Sequence, residues 1–160
     1  MAAGPTAEGP EGGSERPAGF RGTRSKARKA ALDVLFAAEA QGSSPIALLE
    51  EQLQERAKDH DKTVRDYTVQ IVRGVVAHAA EIDELVSSYS RDWPLERMPA
   101  VDRNVLRLAT WELLHSDVPA GVVLSEAVSL ASALSTDDSP VFVNGVLGAI
   151  DREVPRVAQD

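Results

Sequence analysis

The chain has 160 residues, a formal net charge of −8 and no cysteine. This suits one domain, and it excludes disulfides, thiolate metal sites and a cysteine nucleophile. Hydrophobic residues reach 43 % but aromatics only 4 %, a supply of small aliphatics that suits packed helices better than a β-sandwich.

Residues 1–22 are mostly Gly, Pro, Ala, Glu and Ser, with Phe20 as the one bulky apolar residue. Such a segment cannot bury enough surface to offset its ordering entropy, so disorder is expected. It has neither the apolar stretch of a secretory signal nor, anywhere in the chain, the roughly 20 apolar residues of a membrane span. The expectation is a cytoplasmic protein without membrane contact. From Arg16 to Lys29 the charge reverses: Arg16, Arg21, Arg24, Lys26, Arg28 and Lys29 occur with no acid among them. This basic arm runs into a helical pattern capped by Thr23 or Ser25 and stopped by Gly42, with Ala27, Ala30, Ala31, Val34, Leu35 and Ala38 on one face.

Ser44-Pro45 starts a second helix, lined by Ile46, Leu49 and Leu53. A polar connection, Lys58 to Asp61, follows. Val64, Tyr67, Ile71, Val75, Ile82, Leu85, Val86 and Tyr89 keep helical phase through one long helix, or two with a break near 78–80. The two-proline turn Trp93–Pro99 should plug the junction between two halves. Val101 to His115 forms the next helix and Asp117–Gly121 a turn. Val122 to Leu134 is a further helix, and Ser139-Pro140 opens the last one, with Ser139 as cap. The whole reads as all-α, about seven helices in two packed three-helix bundles. One domain is expected at 23–155, split into bundles at about 23–90 and 91–155. The tail at 156–160 should fray.

Chemistry is conspicuous by omission. No phosphate-cradling glycine motif is present. His60, His78 and His115 are far apart in sequence and match no metal-ligand spacing, so surface or core roles are expected and no cofactor is. Gly145 and Gly148 read as points of close helix approach. Glu112 and Glu126 sit among apolar helix positions. A structural hydrogen bond between helices is favoured there over a catalytic acid, since no second group completes an acid/base pair.

Three constellations remain. The basic arm sits at the junction with an amphipathic helix, where folding pre-organises its charges for phosphate. Asp137 to Gly145 forms a helix start with Phe142 placed to stack on a base and Asn144 to read a base edge, or alternatively with Phe142 in the core. Third, no Lys or Arg lies between Arg107 and Arg152, a stretch that keeps Glu112, Asp117, Glu126, Asp137, Asp138 and Asp151. It is either a solubilising surface or a face for a basic partner.

These segments resemble the NusB family of bacterial transcription antitermination factors over about residues 22–152. The resemblance is carried by Arg28 to Phe36, Ile82-Asp83-Glu84-Leu85, Met98 to Leu108, Trp111-Glu112-Leu113, Ser125 to Val128 and, most specifically, Asp138 to Leu147. It implies an all-α fold of two perpendicular three-helix bundles and no catalysis. It also implies binding of boxA-type RNA of ribosomal RNA operons together with the ribosomal protein NusE, within a transcribing RNA polymerase complex with other Nus factors. By position, the RNA side falls on Arg21, Arg24, Lys26, Arg28 and Lys29, with Tyr89, Asp138, Phe142 and Asn144. Some members carry Lys where this chain has Val141. Asp102 and Glu112 are the expected contacts to basic NusE. A homodimer that buries the arm is a second reading, and a protein-only helical adaptor a third. The same module also occurs fused to RNA cytosine methyltransferases, but 160 residues leave no room for a cofactor domain. A DNA-binding helix-turn-helix lacks a basic recognition face outside the arm.

Overall fold

The computed structural model describes residues 22–55 and 62–157. Among these are seven α-helices, one 3-10 turn and no strand. The helices are α1 (Thr23–Gln41), α2 (Pro45–Glu55), α3 (Lys62–Ala77), α4 (Ala79–Tyr89), α5 (Ala100–His115), α6 (Ala120–Leu134) and α7 (Ser139–Glu153), with the 3-10 turn at Leu95–Arg97 between α4 and α5. The disorder expected before Gly22, the connection at 58–61 and Arg21 lie outside the described residues.

Local chemistry sets most boundaries. Gly42 closes α1 at φ 65°, a left-handed conformation that glycine adopts without strain. The Ser44 hydroxyl accepts the Ala47 N–H at 3.4 Å in front of Pro45. His78 (φ −114°) separates α3 from α4. Three expectations are corrected. α1 is capped by the backbone of Gly22 rather than by Thr23 or Ser25. α6 starts at Ala120, since Pro119 already accepts the N–H groups of Val122 and Val123. Ser139 is the first residue of α7 and does not cap it. Its buried hydroxyl turns back to donate to Asp102 at 2.8 Å.

α5 is the axle of the molecule. It packs against α1, α3, α4, α6 and α7, and it is buried on all sides from Asn104 to Leu114 except at Arg107. Each leucine enclosed there contributes about 1.5–3 kcal/mol. α2 covers α1 and α3, while α4 packs on α5 and α7.

Gly74 allows the tightest approach. A β-carbon there would overlap the Trp111 indole beside its nitrogen, so the ring lies directly on the α3 backbone. Gly145 and Gly148 do not have the close-approach role expected of them. A β-carbon at Gly145 meets nothing within 4 Å, and at Gly148 only the flexible end of Arg152. The two-proline turn buries Met98 and leaves Trp93 and Leu95 half-buried. Of the tail expected to fray, 158–160 lie outside the described residues, and Arg156 and Val157 are tied down. The Val157 N–H donates to Leu114 at 2.8 Å, and the Arg156 guanidinium donates to the carbonyls of Ser116 and Val118.

Candidate functional site

The start of α1 presents two kinds of basic residue. Arg24 and Lys26 are exposed and Lys29 is half-exposed, whereas Arg28 is only 2 % exposed. Helical geometry explains the difference. Arg28 shares its face with Ala31, Leu32 and Leu35, all buried against the body.

A buried guanidinium needs a full set of partners, and α5 supplies them. Arg28 Nε and Nη2 donate to the two Glu112 oxygens at 2.8 and 2.9 Å, a bidentate pair. The Tyr67 hydroxyl, from α3, donates to the same carboxylate at 2.5 Å. Glu126, from α6, lies 3.8 Å from Arg28 Nη1 and accepts the Ser25 hydroxyl at 2.7 Å. Burial lowers the Arg28 pKa, but the Glu112 hydrogen bond and charge outweigh it and raise the result. Burial, and then the Glu112 charge, push the Tyr67 phenol well above its usual value. The first two turns of α1 are thus fastened to α3, α5 and α6 at once.

This corrects two expectations. Arg28 has no free donor surface to offer RNA, and Glu112, 1 % exposed, faces it rather than an outside partner. Asp102 is likewise withdrawn as a partner contact. It is fully buried and accepts from Ser135 (2.5 Å) and Ser139 (2.8 Å), tying α5 to α6 and α7.

What remains outward is three cations: Lys26 and Lys29 lie within about 60° of each other round α1, and Arg24 stands about 140–200° from them, at 100° per residue. Arg24 lies over the Tyr67 ring at 4.6 Å, which holds the guanidinium while leaving its edge in solvent. Lys26 has no ion-pair partner among the described residues. Lys29 donates to both Asp33 oxygens at 2.7 and 2.8 Å, so a phosphate there must compete with a carboxylate. Beside Arg24 an open hollow is lined by Tyr67, Gln70, Arg73 and Trp111.

Of the second group of expected residues, Asp138 and Phe142 lie at the start of α7, which Ser139 ties to Asp102 at the other end of α5, whereas the partner of Tyr89 is Glu153, the last residue of α7. Phe142 packs its ring edge on Trp93 at 4.8 Å and stays half-buried, and Asp138 is exposed one turn before it. Asn144 is exposed but stands about 200° round α7 from Phe142, at 100° per residue, so the two address different sides. Tyr89 is half-buried, and a hydrogen bond to Glu153 raises its pKa. The arm is anchored on α5 at Glu112 and the α7 start at Asp102, about 15 Å apart along that helix. The sequence did not single out Trp93 for this role, Arg73, or Glu39, which accepts from Arg103, Asn104 and Arg107 and so links the end of α1 to α5.

Known proteins resemble the chain over most of its length. The NusB family model matches residues 25–152. A curated transcription antitermination protein NusB from Nocardioides sp. is 57 % identical over 136 residues, covering 84 % of this chain and 98 % of that one. Its counterpart from Arthrobacter sp. is 53 % identical over 133 residues, covering 82 % and 95 %. Among solved structures, T. maritima NusB superposes with a TM-score of 0.74 at 39 % identity, covering 81 % of this chain and 91 % of that one. A structure of antitermination factors NusB and NusE in complex with double-stranded RNA gives a TM-score of 0.71 at 31 % identity, covering 81 % and 96 %.

Proposed function

The chain belongs to the NusB family of transcription antitermination proteins, and from that premise we propose that it binds boxA-type RNA through the exposed cations Arg24, Lys26 and Lys29 round the start of α1, jointly with NusE. The family's work is antitermination rather than catalysis. The observation that carries the reading is the division of labour within the arm. Arg28 is spent on Glu112, and in doing so it fixes the helix on which the other three cations ride. Cations held in place on a folded helix lose less freedom on meeting phosphate than cations on a free tail.

Phe142, with Trp93 behind it, offers a half-exposed ring for an unpaired base, and Asp138 lies beside it. An RNA that uses both ends spans the length of α5. NusE, a basic protein, is steered by the exposed acids of the C-terminal half, Asp117, Asp137, Asp138 and Asp151, in place of Asp102 and Glu112. The joint complex then engages transcribing RNA polymerase with the other Nus factors. A homodimer that covers the arm is the competing reading.

Fluorescence anisotropy of labelled RNA separates these. Three neutralised phosphates give a log–log salt slope of about −2 on single-stranded RNA. Changing Arg24, Lys26 and Lys29 together to Ala should weaken binding more than tenfold and flatten that slope. NusE should tighten binding by the native chain. An unchanged affinity in the triple variant would remove the arm from the account. Tighter binding to a duplex than to the single strand would replace the unpaired RNA by a paired one.

A further inference from the structure

The three histidines share no metal-ligand spacing in sequence, yet the fold brings two of them together. His78 sits at the break between α3 and α4, and His115 is the last residue of α5. Their rings stack with centroids 3.8 Å apart and planes within 17°. Glu81, on the first turn of α4, places one carboxylate oxygen 3.5 Å from His78 Nδ1 and 3.6 Å from His115 Nε2. One ligand atom from each of the three residues falls within 4.8 Å of the other two.

We propose that His78, Glu81 and His115 form a binding site for a divalent transition-metal ion of the zinc class, with water completing its coordination. Two imidazoles and a carboxylate are a donor set such ions take readily. The spacing also fits. Ligand atoms bound at about 2.0–2.1 Å round a tetrahedral centre stand about 3.3 Å from one another, within a few tenths of an ångström of both Glu81 contacts. The two stacked rings must turn for both nitrogens to face one ion, and His78, whose side chain is 39 % exposed, is the more open of the two. Glu81 is also open to solvent, so the ion has a way in and a fourth position remains for water. His115 is the enclosed member. An ion here would clip the start of α4 to the end of α5. Nothing in this depends on RNA or NusE.

The test uses the full chain, stripped with chelator and dialysed. Co²⁺ is titrated while visible absorption is followed, and Zn²⁺ by calorimetry. One ion per chain should bind with micromolar affinity. Glu81→Gln and His78→Ala, both at exposed side chains, should each weaken binding at least tenfold, and His60→Ala should leave it within twofold. The absence of one-to-one binding would overturn the site. So would binding retained within threefold in both the Glu81 and His78 variants, or lost in His60→Ala. His115→Ala carries a greater risk to the fold, so the test rests on the two exposed positions.

Discussion

Replacing Arg28 and Glu112, singly and together, asks whether the arm's most buried cation is a fastener or an RNA contact. Both side chains are at most 2 % exposed. Glu112→Leu leaves a guanidinium enclosed with only Glu126 nearby, at 3.8 Å, and deprives the Tyr67 hydroxyl of its acceptor. Removing one partner of a buried pair costs about 3–5 kcal/mol, and Glu126 should hold this case near the lower end. Arg28→Met leaves a buried carboxylate with Tyr67 as its remaining donor, a loss of similar size. The double variant removes both charges and fills the space with apolar atoms, which is often near neutral. Tyr67 still loses its acceptor, at about 1–3 kcal/mol, so the double variant should fall well below the two singles summed, about 6 kcal/mol, with a coupling of about 3–5 kcal/mol. Urea unfolding followed by circular dichroism measures all four corners of the cycle. RNA affinity of the double variant should stay within twofold of the native chain, because Arg24, Lys26 and Lys29 keep their places. Singles costing under 1 kcal/mol, additive losses, or a tenfold loss of RNA affinity in a folded double variant would each contradict a fastening role for Arg28.

Gly74→Ala drives a methyl group into the Trp111 indole, which cannot withdraw without leaving α3. A loss of about 1–3 kcal/mol in urea unfolding and a shift of tryptophan emission are expected, and a neutral effect would contradict the close approach. His115 has a folded-state pKa below its unfolded one. As pH falls through about 6.5 the unfolded chain takes up a proton that the folded chain refuses, and stability drops. In the presence of chelator, the stability difference between the native chain and His115→Gln should change between pH 7 and 5, and a constant difference would be evidence against this environment. Asp33→Asn frees Lys29 from its carboxylate. RNA affinity at low salt should rise about two- to fivefold, and unchanged binding by anisotropy would take Lys29 off the RNA face.

Much of the fold is legible because its signals are local. Gly42, Ser44-Pro45 and the helical phase on either side of His78 each fix a backbone event within a few residues. The helix starts at Pro119 and Ser139 are harder to place. A proline carbonyl can open a helix with no polar cap, and the Ser139 hydroxyl is claimed by a carboxylate on another helix. Counting charge without regard to helix face puts Arg28 on the RNA side. Its partners at three, four and seven positions on are Ala31, Leu32 and Leu35, and Glu112 lies equally deep among Leu108, Ala109 and Leu113. Two opposite charges, each on an apolar face, are the signature of a buried pair, and that signal is present in the sequence. The meeting of His78 with His115 is not, because it depends on how the end of α5 reaches the α3–α4 break.

RNA is expected to run round the exposed start of α1 and on toward Phe142. Amide chemical-shift mapping of the full chain, titrated with boxA-type RNA in the presence of NusE, tests it most directly. RNA-dependent shifts should concentrate at Arg24, Lys26 and Lys29 and at Trp93 and Phe142. Shifts confined to α2 or to the outer face of α6, with the start of α1 unmoved, would contradict it.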